Sequence, residues 1–178
     1  MKPHIAAALI TSETVHRNLR NILKTINKTI NNKTRFLKCL DLIRINITAN
    51  HVCSNPSLLI EPYIYQDENR RKAKLPNLIE ALFILDKSTK ILNDKEMYKT
   101  INEVFYDSMK ILDLIEGYVE MTQHNGEDKE LARKIINKLN KIVENLLVIY
   151  PVLQYSLFVP VSQSILDACW KNQLPPSC

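Results

Sequence analysis

The stretch KELARKIINKLNKIVENLLVIY, residues 129–150, decides the fold class. Leu131, Ile135, Leu139, Ile142, Leu146 and Ile149 recur every three or four positions. That spacing lines one face of an α-helix and matches no strand, whose faces alternate every second residue. Pro151 follows at once. Lacking an N–H and clashing with the preceding turn, it predicts that this helix halts there.

Working outward, the same period repeats. Met97, Ile101, Val104, Ser108, Ile111, Ile115 and Tyr118 mark a helix ending before Asn125-Gly126, a common stop. Leu78, Leu82, Leu85, Thr89 and Leu92 mark another from about Pro76, a residue suited to a first helical turn. Near the start, Val15, Leu19, Ile22, Ile26 and Ile30 give a helix over about Ser12–Ile30, with Thr11 or Ser12 as its cap. A second stripe, Phe36, Leu40, Ile43 and Ile47, covers about Thr34–Thr48. Asn31-Asn32-Lys33-Thr34 intervenes and the two stripes are out of phase, so the region is two helices or one bent helix. A shorter helix runs from Val161 to about Lys171, followed by an irregular tail over 172–178.

Between the second and third helices, residues 50–75 read as a long crossover. Its apolar half (Leu58, Leu59, Ile60, Tyr63, Ile64, Tyr65) is expected across the core and its charged half (67–72) in solvent. A connection of this length is uncommon in a compact domain and often functional. No strand is required, although 56–66 or 152–159 could be extended. The apolar segment from Leu146 to Val161 is too short for a membrane span and contains two prolines, so it is read as buried.

Composition agrees. The 178 residues fit one domain with a sizeable core. Only two are glycine, Gly117 and Gly126, against an average near 7%. Phosphate-cradling loops and tight hairpins need glycine for positive φ, so nucleotide-binding and many-stranded folds are disfavoured. The expectation is an all-α, single-domain helical bundle over 1–178, with about five to six helices and one long crossover loop.

The net charge of +5 is uneven. Residues 1–50 carry nine basic and two acidic groups, whereas 101–178 carry seven and ten. Arg17, Arg20, Lys24 and Lys28 share one side of the first helix, and Arg70, Arg71 and Lys72 cluster in the crossover. Both clusters are candidate partner-binding sites. Aromatic side chains are scarce beside them and no helix-turn-helix is recognisable, which disfavours nucleic acid. Met1 to Ile10 has some character of a leader, but its apolar run is shorter than a signal core. The expectation is therefore either an intracellular protein or a mature form without its leader.

Catalytic chemistry finds little footing. His4, His16, His51 and His124 share no metal-ligand spacing, and no Glu-x-x-His pair suits a di-iron bundle. His51-Val52-Cys53 is a close pair without an orienting third group. Asp113, Glu116 and Glu120 share one side of their helix, as a solvated face would. No enzyme, metal or cofactor is expected.

Cys39, Cys53, Cys169 and Cys178 permit three pairings. Neighbour pairing would pin two connections to their helices, whereas joining the first pair of cysteines to the second would close much larger loops. Four free thiols in a reducing cell is the alternative. Asn27, Asn32 and Asn46 head N-x-S/T sequons. An even cysteine count with sequons leans toward an extracellular protein. The resulting expectation is a non-enzymatic, protein-binding bundle, comparable in layout with the secreted four-helix cytokines, that engages a receptor or host protein. The rival is an intracellular, Bcl-2-like adaptor holding a partner helix in an apolar groove, with Ile142–Val161 as its central hairpin. A nucleic-acid-binding bundle comes third.

Overall fold

From Ile5 to Ser12 every side chain is buried, so this segment needs neighbours on all sides. The computed structural model, which describes residues 3–54, 65–66, 72–157, 161–170 and 178, makes it the first half of a helix, α1 (Pro3–Ile26). The helix thus begins nine residues before the expected Ser12. Thr11 and Ser12 do not cap it. Thr11 Oγ1 donates to the Pro76 carbonyl at 2.8 Å and Ser12 Oγ to the Leu9 carbonyl at 2.9 Å. The reason is burial: Ile5–Ile10 supplies enough apolar surface to extend the helix beyond its polar residues.

A short 3-10 turn (Asn27–Thr29) separates α1 from α2 (Lys33–Thr48). Asn32 opens α2 as a true N-cap, its side chain accepting from the Arg35 N–H. Two helices, not one bent helix, result. They run antiparallel, because Asn18 of α1 meets Asn46 of α2 while Thr29 lies beside Cys39. Asn18 Nδ2 donates to Asn46 Oδ1 at 2.8 Å, satisfying two buried amides at once.

The crossover ends are paired. β1 (Val52–Ser54), β2 (Tyr65–Gln66) and β3 (Lys72–Lys74) form a small antiparallel sheet in the order β1-β3-β2. Val52 faces Lys74 and Ser54 faces Lys72, so β1 and β3 bring the two ends of the crossover together. Leu75 N–H donates to the His51 carbonyl, and Asn50 Nδ2 to the Leu75 carbonyl. β2 falls within the 56–66 stretch that the sequence allows to be extended, whereas β1 and β3 lie outside it. Leu58, Leu59, Ile60, Tyr63 and Ile64 lie outside the described residues.

Three helices follow: α3 (Leu78–Leu92), α4 (Lys95–Gln123) and α5 (Lys129–Ser156). Asn77 caps α3 and exchanges a second bond with Glu80, so the helix starts after Pro76 and not at it. Asp94 and Asp128 cap α4 and α5 in the same way. Asn93 and Asn125 take the left-handed conformation at the two helix ends. Gly126 is needed for a different reason: a Cβ there would meet the Met121 carbonyl at 3.1 Å and its side chain at 2.8 Å.

α5 does not halt at Pro151 but continues to Ser156. The carbonyl that Pro151 leaves without a helical donor belongs to Leu147, which is exposed. Beyond the proline, Leu153 is fully buried and Tyr150 Oη donates to the Val161 carbonyl at 3.0 Å, so packing holds the last turn. Residues 152–156 are therefore helical, not extended. Nor is the Leu146–Val161 segment buried throughout, since a helix at the surface must turn Leu147, Val148, Val152 and Tyr155 outward.

α1, α3, α4 and α5 form a four-helix core. α1 packs on α5 and α3, and α4 packs on both of these from the far side. α2 closes against α1, α3 and α4, with Phe36 edge-on to Tyr118 at 5.0 Å. A last helix, α6 (Gln163–Trp170), lies on α1 and β1. The protein is an all-α helical bundle.

This arrangement distinguishes neighbouring leucines. Leu146 is fully buried and Leu147 is 54% exposed. Leu146→Ala should cost roughly 2–5 kcal/mol and Leu147→Ala less than about 0.5 kcal/mol, both read from urea denaturation of the oxidised protein. Equal losses would mean that the face of α5 is assigned wrongly.

Candidate functional site

The basic stripe of α1 is shorter than its sequence suggests. Arg20, Lys24 and Lys28 are exposed, but Arg17 is drawn inward. Its Nε lies 3.2 Å from Glu13 and its Nη1 3.0 Å from Asp167 of α6. Arg17 thus ties α6 to α1 and is largely withdrawn from the surface. Of the crossover cluster, Arg70 and Arg71 lie outside the described residues, and Lys72 opens β3 opposite Ser54.

His16 sits beside this ion-pair group, 4% exposed, with Nδ1 3.8 Å from Glu13. Burial, followed by the nearby positive charges of Arg20 and Arg17, lowers its pKa from 6.5 to about 4. It is a neutral histidine in the core. Tyr150, on the same side, has its hydroxyl pKa raised by burial and then by Glu13, with Arg17 opposing. Among the described residues no three His, Cys, Asp or Glu side chains group in a way that could hold a metal ion.

All four cysteines pair, and not with their neighbours. Cys39 of α2 is bonded to Cys178 with Cα atoms 5.1 Å apart, and Cys53 of β1 to Cys169 of α6 at 4.2 Å. The partners are separated by 139 and 116 residues, so the two loops are nested. Sequence spacing alone could not favour this pairing, because it depends on α6 folding back over α1 and β1.

The sequons divide by exposure. Asn27 and Asn32 are at the surface, and Asn32 caps α2 through its Oδ1. Asn46 is 1% exposed, with Nδ2 bonded to the Leu42 carbonyl and Oδ1 to Asn18. A glycan there is incompatible with this fold.

A groove of about 900 Å³ lies between α2 and α4. Its floor is Leu37, Leu112, Ile115 and Val119, and its walls carry Asp41 and Arg44 from α2 and Glu116 and Glu120 from α4. Asp41 and Arg44 bind each other at 2.7 Å. The sequence had placed Glu116 and Glu120 on a solvated face. The groove was not legible there, because it needs α2 to lie against the far half of α4. A second apolar face is the exposed side of α5, Leu147 to Tyr155.

No protein-family model, curated protein or solved structure matches this chain.

The His16 shift has a sign that can be checked. The unfolded chain takes up the proton near pH 6.5 and the folded protein only near pH 4. The group's contribution is therefore complete above pH 6.5 and is lost as pH falls through that window, by roughly 3 kcal/mol in total. His16→Gln should flatten the fall in urea midpoint between pH 7 and pH 4.5. An unchanged pH slope in the variant would assign the acid sensitivity elsewhere.

Proposed function

We propose that this protein is secreted and acts without catalysis, as a cytokine-like ligand or host-interaction protein that binds another protein through its helix faces. The observation that carries this reading is the complete pairing of the cysteines into two long-range bridges. Structural disulfides persist in oxidising compartments and are rare in the reducing cytosol. They tie the start of the crossover and the far end of the chain to the bundle, where a small helical protein outside the cell most needs constraint. Two exposed sequons are in keeping with that route. Among the described residues no helix is long and apolar enough to cross a membrane.

Binding is supported by the surface. Exposed aromatic and aliphatic side chains (Phe83, Ile91, Tyr106, Leu147, Tyr155) leave apolar surface that a partner could cover. The Bcl-2-like alternative gains less. Its central hairpin was to be Ile142–Val161, and that segment runs as a single helix as far as Ser156.

Protein made in a secretory eukaryotic host should have an intact mass lower by four hydrogens than after reduction. It should carry glycan that Asn27→Gln and Asn32→Gln remove and Asn46→Gln leaves unchanged. Four free thiols in the unreduced protein would overturn secretion.

A further inference from the structure

We propose that the α2–α4 groove is a docking site for an amphipathic helix of a partner protein whose apolar stripe is flanked by basic residues one turn apart. This rests on the protein-binding reading above and names the surface and the chemistry of the partner.

The floor supplies the apolar half of the argument. Leu37 and Leu112 are half-buried and Val119 is 36% exposed, so each has surface still to lose to a ligand. Two helices supply the walls, which is the setting in which a third helix lies with residues at i, i+3, i+4 and i+7 pointing down.

Charge selects the occupant. On the α2 wall Asp41 and Arg44 neutralise each other. On the α4 wall Glu116 and Glu120 are exposed, and among the described residues no cation lies within ion-pair distance of either. Like charges at i,i+4 destabilise a helix by a few tenths of a kcal/mol, and no described residue offsets that here. The groove is therefore negative on one wall, within a chain of net charge +5. At about 1.5 Å of rise per residue the two carboxylates lie about 6 Å apart along α4, which matches Lys or Arg at i and i+4 of a docked helix.

The outer face of α5 has apolar residues but no charge pattern to name a partner. Arg20, Lys24 and Lys28 offer charge without an apolar floor. Of these three surfaces, the groove has both.

The test uses the full-length oxidised protein and two synthetic helical peptides of about 18 residues. They share one leucine stripe and differ only in bearing lysine or glutamate beside it. The Leu/Lys peptide should bind, perturbing the amide signals of Leu37, Leu112 and Val119, and the Leu/Glu peptide should not. Glu116→Lys with Glu120→Lys should weaken the Leu/Lys peptide by about tenfold or more and admit the Leu/Glu peptide. Val119→Asp should weaken the Leu/Lys peptide, and Arg20→Glu with Lys24→Glu should leave its binding unchanged. Equal binding of the two peptides, no binding, or perturbation confined to Val148, Val152 and Tyr155 would overturn the proposal. Free thiols alongside Glu116-dependent peptide binding would overturn secretion and leave the groove standing. Paired thiols without peptide binding would do the reverse.

Discussion

From Ile5 to Ser12 every side chain of α1 is buried, and the rest of the molecule answers to that constraint. A helix apolar on every side has to be enclosed, because exposing it would forfeit about 25 cal/mol for each Å² of apolar surface. α5, α3, α2 and α6 all pack on α1, α2 along its second half. Several polar residues inside this enclosure have specific partners, although the Thr14 hydroxyl has none among the described residues. Thr11 bonds to Pro76, Asn18 to Asn46, and Arg17 to Glu13 and Asp167. His16 meets the constraint differently, by staying neutral.

Enclosure also explains the bridges. α6 is only eight residues long, too short to hold its place by helix propensity, and it covers α1 where Arg17 emerges. Cys53–Cys169 fastens it to β1, and Cys39–Cys178 fastens the chain beyond it to α2. Both bridges join the front of the chain to its back. They close long loops, which by chain entropy is the more stabilising arrangement in principle. The small sheet serves the same end by drawing Val52 and Lys74 together, so that a long connection begins and ends at one point on the bundle.

With α1 enclosed, surface features fall to the outer helices. α4 packs on α5 and α3, α2 lies against its second half, and the gap between α2 and α4 is the groove. Its acidic wall and the basic stripe of α1 belong to different helices, so the uneven charge of the sequence becomes two separate surfaces. The groove combines apolar floor and unpaired charge, which is why it carries the docking proposal and the α1 stripe does not.

How much was legible depended on the range of the interaction. Leu131 through Ile149, Met97 through Tyr118 and Leu78 through Leu85 determined three helices and their buried faces, because helical period is local and two glycines allow little else. The caps at Asn77, Asp94 and Asp128 are local too, although Pro76 drew attention one step too early. Tertiary packing decided what local rules could not. Ile5–Ile10 became helix because other helices bury it, and α5 passed Pro151 because Leu153 and Tyr150 hold the turn beyond. The cysteine pairing, the loss of Arg17 and Asn46 from the surface, and the groove all join residues far apart in the chain. The sequence by itself determined a helical bundle with uneven charge. Which of its polar residues face a partner was decided only when distant helices met.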